Sequence, residues 1–186
     1  SPEMMRLFGL HLADGTLTFK HRNGRKIPSS IRLTFGSKGT SELIDHITQI
    51  MRDEFGVDPN IRTISGSSSD WKSLDIYRKE VADFFLTHCG HGSREKRISE
   101  TLLSQKPELL RELVIGFILG DGGKTTGDQI KIKSVNLGLL SQLRFILYGL
   151  GYISTIEENE RINALQINGV EANDLFASSS IPFGNY

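Results

Sequence analysis

Hydrophobic residues along the first half of the chain alternate between helical spacing and strand spacing. Apolar positions three and four residues apart predict helices, and strictly alternating positions predict strands. The predicted elements are helices at residues 3–14, 41–55 and 80–87 and strands at residues 16–22, 31–36, 60–65 and 71–77. A turn signal, Asn23-Gly24, lies between the first two strands and predicts a hairpin with a rather long loop.

The same order begins again in the second half, after a polar segment. The predicted elements are helices at residues 107–121, 137–150 and 170–177 and strands at residues 129–134, 153–158 and 162–168. The chain is therefore expected to have an α+β fold of two pseudo-symmetric αββαββα repeats. We place the N-terminal repeat at residues 1–90, a connector at 91–106 and the C-terminal repeat at 107–186.

The composition favours a folded protein of the cell interior. The chain has 186 residues, of which 38% are hydrophobic, so it is long enough to bury a substantial core. No apolar stretch approaches the ~20 residues that a membrane-spanning helix needs, so we expect a soluble protein with no membrane partner. The one cysteine, Cys89, excludes an internal disulfide framework and fits an intracellular location.

Charge is balanced overall but unevenly distributed. The 22 Lys and Arg residues equal the 22 Asp and Glu residues, which argues against a polycation that coats nucleic acid nonspecifically. Residues 15–41 nevertheless contain six basic residues and no acid, whereas residues 151–186 contain one basic residue and five acids. The region near the N-terminus is therefore positively charged and the C-terminal region negatively charged, which indicates different electrostatic roles for the two.

An acid ends the first helix of each repeat. Asp14 and Asp121 each precede a glycine at a helix C-terminus, where a negative charge costs ~0.3–1 kcal/mol against the helix dipole. The same unfavourable choice in both repeats indicates a function that outweighs the cost.

Small residues recur at i, i+4 on both of these helices. They are Gly9 and Ala13 in the first, and Gly116 and Gly120 in the second. Such stripes allow two helix backbones to approach closely, which would bring the two terminal acids together at a helix interface. Two neighbouring carboxylates repel each other, and a divalent cation relieves the repulsion. Oxygen ligands with positions left open suit Mg²⁺, and hence metal-assisted hydrolysis of a phosphodiester.

Residues 7–15, LFGLHLADG, and residues 114–122, VIGFILGDG, resemble the two signature helices of single-chain LAGLIDADG homing endonucleases. The connector, from Cys89-Gly90 to Lys96-Arg97-Ile98, is similar to that of intein-borne members. The resemblance implies a pseudo-twofold monomer whose antiparallel sheets form a saddle over double-stranded DNA, with paired helices at the centre and the acids above the minor groove. It implies a staggered cut of both strands at a long target site, with Mg²⁺ as cofactor and Ca²⁺ supporting binding without cleavage. The host gene would be an intein or an intron, and the protein would act in the cytoplasm, or in an organelle if that gene is organellar.

The sheet faces opposite the apolar positions are the expected DNA contacts. A two-stranded ribbon fits the major groove, and alternate residues of a strand point to one face. These positions are Thr16, Thr18, Lys20, Arg22, Arg25, Lys26, Arg32, Thr34 and Lys38 in the first half and Gln129, Lys131, Lys133, Gln166 and Asn168 in the second. The acidic stretch at residues 157–160 is expected to lie away from the DNA backbone.

Family members also have a catalytic lysine near each acid. Lys38 matches this position in the first half. In the second half Val135 stands where the lysine is expected, and Lys133, two residues earlier on the same strand face, is our substitute. The departure puts equal cleavage of the two strands in question.

Two alternatives to a nuclease stay open. A relative with the same fold could bind nucleic acid without cutting it, as an RNA splicing maturase or a decayed intein insert would. The chain could also be a structural or protein-interaction domain built on two packed repeats. Both the nuclease and the non-cutting relative need the basic hairpins, and the structural domain does not. Only the nuclease needs both Asp14 and Asp121.

Overall fold

The structure is a computed structural model that describes residues 1–36, 41–65, 71–124 and 129–178, with only the backbone described at 122–124. These residues form two compact units. One contains Ser1–Ala13 and the described residues from His88 onward, and the other contains the described residues of Asp14–Thr87. The first helix of the chain thus packs with the second half of the sequence. The repeat boundaries inferred from the sequence stay a prediction.

The element order confirms an α+β fold with two αββαββα repeats. The first repeat comprises α1 (Pro2–Asp14), β1 (Thr16–Arg22), β2 (Arg25–Gly36), α2 (Ser41–Phe55), β3 (Asn60–Ile64), β4 (Trp71–Ile76) and α3 (Lys79–Cys89). A short helix, α4 (Glu100–Leu103), lies in the connector. The second repeat comprises α5 (Pro107–Asp121), β5 (Gly122–Lys124), β6 (Ile130–Ser134), α6 (Leu137–Gly149), β7 (Ser154–Glu157), β8 (Asn163–Ile167) and α7 (Gly169–Ala177).

Each repeat contributes one four-stranded antiparallel sheet. The strand orders are β1-β2-β4-β3 and β5-β6-β8-β7, so corresponding strands occupy corresponding places. In both sheets the second and fourth strands of the repeat are central, and the first and third lie at the edges. This shared order supports the internal repetition inferred from the hydrophobic pattern.

The first hairpin differs from the prediction. Strand β2 begins at Arg25, so the connection is a two-residue turn and the long loop expected from the sequence is wrong. Asn23 and Gly24 have φ angles of 51° and 72°, the left-handed conformation that a tight hairpin turn requires. An irregularity in the pairing between Thr18 and Phe19 separates the hairpin tip from the rest of the sheet. The tip lacks apolar alternation, which is why the sequence pattern missed it.

Helices α1 and α5 are buried on most sides. Every residue from Met4 to Leu12 is buried in α1, as is every residue from Glu112 to Ile118 in α5. A helix that is apolar around its circumference belongs in a core rather than on a surface. In the other unit, Ile31 and Leu33 of β2 pair with Ile76 and Leu74 of β4, and all four are buried. Within the described ranges, no helix has the length and apolarity needed to cross a membrane.

Candidate active site and nucleic-acid interface

Helices α1 and α5 meet backbone to backbone at their glycines. A Cβ added to Gly9 would lie 2.0 Å from the carbonyl oxygen of Leu113, and one added to Gly116 would lie 2.0 Å from the carbonyl oxygen of Arg6. Each carbonyl lies three residues before the opposite glycine. The two contacts are therefore equivalent, as a local twofold axis between the helices would make them. Since a real Cβ never approaches so closely, only glycine fits at either position.

The small-residue contact continues to the ends of both helices. A Cβ added to Gly120 would lie 2.5 Å from the Cβ of Ala13. Asp14 and Asp121 are the next residues, and each is the last residue of its helix. Asp14 is exposed and Asp121 is partly exposed. The described residues contain no group of three or more His, Cys, Asp or Glu side chains arranged to hold a metal ion.

A buried ion pair joins the same two helices. Arg6 of α1 donates from Nε at 3.1 Å and from Nη2 at 2.5 Å to one carboxylate oxygen of Glu112 in α5. The side chains are 1% and 0% exposed, so water screens neither charge. Removing one partner from such a pair is costly because the other charge stays buried, and a pair of this kind can hold two helices in one register. The sequence pattern did not reveal it, because the partners are 106 residues apart.

Lys96 of the connector binds the C-terminal end of α1. Its Nζ donates to the carbonyl oxygens of His11, Leu12 and Ala13 at 2.9, 3.0 and 3.1 Å. These carbonyls belong to the last turn of α1 and form the negative end of the helix dipole, so a buried ammonium there is favourable. The carbonyl oxygen of Lys96 in turn accepts a hydrogen bond from Asn136, whose side chain also caps the start of α6. Lys96 thus ties the end of α1, immediately before Asp14, to α6.

The same environment keeps His11 neutral. Burial, and next the charge of Lys96, lower the pKa of His11 from 6.5 to about 3. Burial also raises the pKa of Cys89 well above its usual value, although Lys96 opposes the shift. Cys89 is thus an inert packing residue at any ordinary pH.

The outer face of the first sheet carries the polar residues that the sequence placed there. Thr16 of β1 lies opposite Arg32 of β2, and Thr34 lies two residues further along the same face. Lys20 and Arg22 continue this face of β1 towards the tip, where Arg22 pairs with Arg25. Two further predicted DNA contacts belong to this sheet. Thr18 lies on the same face, and the other is Lys26. Lys26 differs, because its Nζ lies 4.3 Å from the centre of the Phe19 ring, on the opposite face.

A carboxylate at the centre of this face binds two arginines. Arg32 donates from Nε to Oδ1 of Asp75 at 2.6 Å, and Arg62 donates from Nε and Nη2 to Oδ2 at 2.9 and 2.6 Å. Burial raises the pKa of Asp75, but the hydrogen bonds from the two arginines outweigh it and hold that pKa below its usual range. Neither Arg62 nor Asp75 was among the residues expected from the sequence. The alternation of β4 could have shown that Asp75 opposes the buried Leu74 and Ile76.

The outer face of the second sheet is less positive than the sequence indicated. Lys131 donates to Glu157 at 2.8 Å, and Gln166 donates to the same carboxylate oxygen at 2.9 Å. Hydrogen bonding and charge from Lys131 lower the pKa of Glu157, which therefore carries its negative charge on this face. Glu157, the first residue of the acidic stretch, belongs to β7 and lies on this face, and the expectation that the stretch lies away from the DNA backbone stays a prediction. Lys133 is exposed on the same face.

The other residues that the sequence singled out as DNA contacts or at the lysine position differ in exposure and in their partners. Gln129 is exposed just before β6. Asn168 accepts a hydrogen bond from the backbone N–H of Glu171 at 3.0 Å and so caps α7. Val135 follows β6 and is 39% exposed. Lys38 lies outside the described residues.

Part of the second half of the chain, beginning within α5, matches a known family. Residues 108–177 match the family model for the LAGLIDADG-like domain. No curated protein sequence is significantly similar to this chain. The chain thus has the LAGLIDADG fold and contains a LAGLIDADG-like domain in its C-terminal half.

Among solved structures, the chain is similar to the homing endonuclease I-DmoI in complex with DNA and Mn. The TM-score is 0.73 at 20% identity, and the match covers 98% of each chain. An I-DmoI variant in complex with its target DNA in the presence of Mg gives a TM-score of 0.73 at 21% identity, covering 96% of this chain and 97% of that one. The N-terminal LAGLIDADG domain of DUF199/WhiA gives a TM-score of 0.61 at 14% identity, covering 98% of this chain and 85% of that one.

Proposed function

We propose that this protein is a site-specific DNA homing endonuclease, which hydrolyses a phosphodiester bond in each strand at a long target site with the help of a divalent metal ion. The observation that carries the proposal is the equivalent pair of contacts between α1 and α5, at Gly9 and Gly116. Those contacts fix the ends of two helices that both terminate in aspartate. A protein that only packs two repeats has no need of an acid at both ends.

Asp14 and Asp121 are the proposed metal ligands. Ala13 and Gly120 are in contact, and Asp14 and Asp121 are the residues that follow them in the sequence. Two carboxylates suit Mg²⁺, which is usually held by one or two carboxylates together with water and substrate phosphates. When bound, the metal would supply charge stabilisation at the phosphate and activate a water molecule.

The protein's own groups prepare this site. Gly9, Gly116 and the Arg6–Glu112 pair fix the positions of the helices, and Lys96 holds the last turn of α1 through three carbonyls. Because rigid placement of charged groups is what electrostatic catalysis requires, these contacts serve the two acids even where they do not touch the substrate. Lys38 and Lys133 are the proposed supporting cations near the phosphates.

The outer face of each sheet is a proposed DNA-binding surface. The first sheet offers threonine, arginine and lysine on one face, as contacts to phosphates and base edges require. The second sheet offers Lys131, Lys133 and Gln166, but Glu157 offsets one of its two positive charges. We therefore infer that the first sheet supplies most of the affinity. The protein would act as an intracellular monomer on double-stranded DNA.

The second candidate function is nucleic-acid binding without cleavage, as in a LAGLIDADG maturase or a decayed intein insert. Two observations favour it over an efficient nuclease. Val135 stands where the second catalytic lysine is expected, and Glu157 lies beside Lys131 on the face that would meet DNA.

Selection of cleaved sites from a randomised or host-gene DNA library tests the proposal. The purified protein is incubated with the library in Mg²⁺ and, as a binding-only control, in Ca²⁺. We expect one long site to be recovered as double-strand breaks in Mg²⁺, and the same site to be recovered as bound, uncut DNA in Ca²⁺. Recovery of a bound site that is never cut would favour the second function. Recovery of no site in either metal would contradict both.

A further inference from the structure

Asp75 is a buried carboxylate on the polar face of the first sheet. Its neighbours along β4, Leu74 and Ile76, point into the core, so the side chain of Asp75 lies on the opposite face. It is nevertheless only 2% exposed, because Arg32 of β2 and Arg62 of β3 cover it from the strands on either side. The cluster carries two positive charges and one negative charge, so the face remains attractive to DNA.

The hydrogen bonds of the cluster leave one arginine with its terminal fork available. Within the described residues, Arg32 uses only Nε to bind Asp75, while Arg62 uses Nε and Nη2. Arg62 also donates from Nη2 to the hydroxyl of Tyr77 at 2.5 Å, and Ser73 donates to Oδ2 of Asp75 at 3.2 Å. Arg32 is 39% exposed, and its two terminal nitrogens carry four of the five guanidinium N–H groups. Asp75 thus orients the guanidinium of Arg32 through Nε, and the two terminal nitrogens form a planar fork that a ligand can reach.

The position of Arg32 in the sheet favours a base over a phosphate. Strand β2 is central, with β1 on one side and β4 on the other. The residues beside Arg32 on this face, Thr16 and Thr34, are short and uncharged. The major groove admits a two-stranded β-ribbon whose side chains reach the base edges, and β2 forms such a ribbon with β1. A phosphate contact does not require a fixed fork, since lysine also binds phosphate, as a point charge.

We propose that Arg32 reads a guanine through its O6 and N7 in the major groove, and that Asp75 is the residue that positions it. A guanidinium fork is the common partner of these two acceptors. Arg62 completes the cluster by occupying the second oxygen of Asp75, so that this oxygen does not compete for the fork of Arg32. The inference rests on the proposed function only as far as specific DNA binding, and not on cleavage.

Base preference measured without cleavage tests this assignment. The full chain is used to select bound sequences from a randomised duplex library in Ca²⁺, and single-base variants of the recovered site are then titrated. We expect one position with a strong guanine preference in the parent protein. Arg32→Lys keeps the charge but removes the fork, and is expected to reduce that preference by about tenfold or more while leaving the other positions and the salt dependence unchanged.

Asp75→Asn is expected to weaken the same preference at the same position, since it leaves the fork in place but loosens its orientation. Arg22→Lys, on the same face near the hairpin tip, is the matched control and should leave that position unaffected. Thermal melting checks that each variant is folded. If Asp75→Asn does not fold, Arg32→Lys still decides the matter by itself.

Two results would overturn the inference. One is an unchanged guanine preference in Arg32→Lys. The other is a uniform loss of affinity at all positions in Arg32→Ala with a salt slope smaller by about one, which would identify a phosphate contact. If the parent protein selects no sequence at all, the proposed function fails as well, whereas a selected but uncut site leaves this assignment testable.

Discussion

Substitution of Gly9 or Gly116 by alanine should destabilise the protein, although alanine is the better helix former. In an unconstrained helix the change would gain up to ~1 kcal/mol. At Gly9 the new Cβ would lie 2.0 Å from the carbonyl oxygen of Leu113 and 2.6 Å from the backbone nitrogen of Phe117. Normal contact between such atoms needs more than ~3 Å, so the two helices would have to separate by about 1 Å. The obstacle is backbone, so no side-chain rotation relieves it.

The expected cost follows from what that separation does to the core. Overpacking of a well-packed interior costs ~1–3 kcal/mol, which exceeds the gain in helix propensity. For a chain of this size each kcal/mol lowers the melting temperature by about 2–4 °C, so Gly9→Ala and Gly116→Ala should each melt several degrees lower. The equivalence of the two contacts predicts losses of similar size. Because the helix ends carry Asp14 and Asp121, cleavage should fall further than stability alone explains.

Gly149→Ala is the matched control for this experiment. Gly149 is also helical, at the end of α6, but a Cβ there would meet nothing within 4 Å. This variant should be as stable as the parent protein or slightly more stable, by up to ~1 kcal/mol. Thermal unfolding followed by circular dichroism compares the three variants. The reasoning is refuted if Gly9→Ala and Gly116→Ala melt with or above Gly149→Ala.

Three further predictions concern single side chains. Lys96→Met leaves three carbonyls at the end of α1 without their donor and should cost about 2 kcal/mol in urea unfolding, whereas the exposed Arg97→Met should cost little. His11 stays neutral when folded but is protonated below about pH 6.5 when unfolded, so its contribution is complete above pH 6.5 and is lost as the pH falls towards 3. Between pH 6.5 and pH 4 the loss is about 3 kcal/mol, and His11→Gln should flatten the measured dependence of stability on pH over this range; an unchanged slope would contradict the assignment. In cleavage assays Lys133→Ala should reduce the rate more than Val135→Ala, and the reverse order would show that the lysine has been assigned to the wrong position.

Local patterns predicted most of the fold because they depend on residues close in sequence. The helical spacing located α1 and α5, and the repetition of an acid before glycine singled out Asp14 and Asp121. Strand alternation correctly separated the apolar and polar faces of β1 and β2. The tight hairpin at Asn23-Gly24, the three-residue strand β5 and the four-residue helix α4 were missed, since each is too short or too irregular to show a period.

The residues of the candidate site that the sequence did not reveal were missed for a different reason. Each of them depends on a contact between positions distant in sequence. Lys96 binds carbonyls more than 80 residues away, and Arg6 pairs with Glu112 across two helices. Asp75 is recognisable as a binding partner only when β2, β3 and β4 are aligned side by side. A single sequence shows such residues merely as a basic or acidic side chain at a plausible position.

The central claim is that Asp14 and Asp121 together form one metal centre. A cleavage assay of variants that lack one of the two aspartates tests it most directly. Plasmid carrying the selected site is incubated in Mg²⁺ with the parent protein, with Asp14→Asn, with Asp121→Asn and with the exposed control Asp45→Asn. The account predicts that each of the first two variants loses double-strand cleavage but keeps its affinity for DNA in Ca²⁺ within a modest factor, and that the control cuts normally. A variant lacking either acid that still linearises the plasmid would contradict the account.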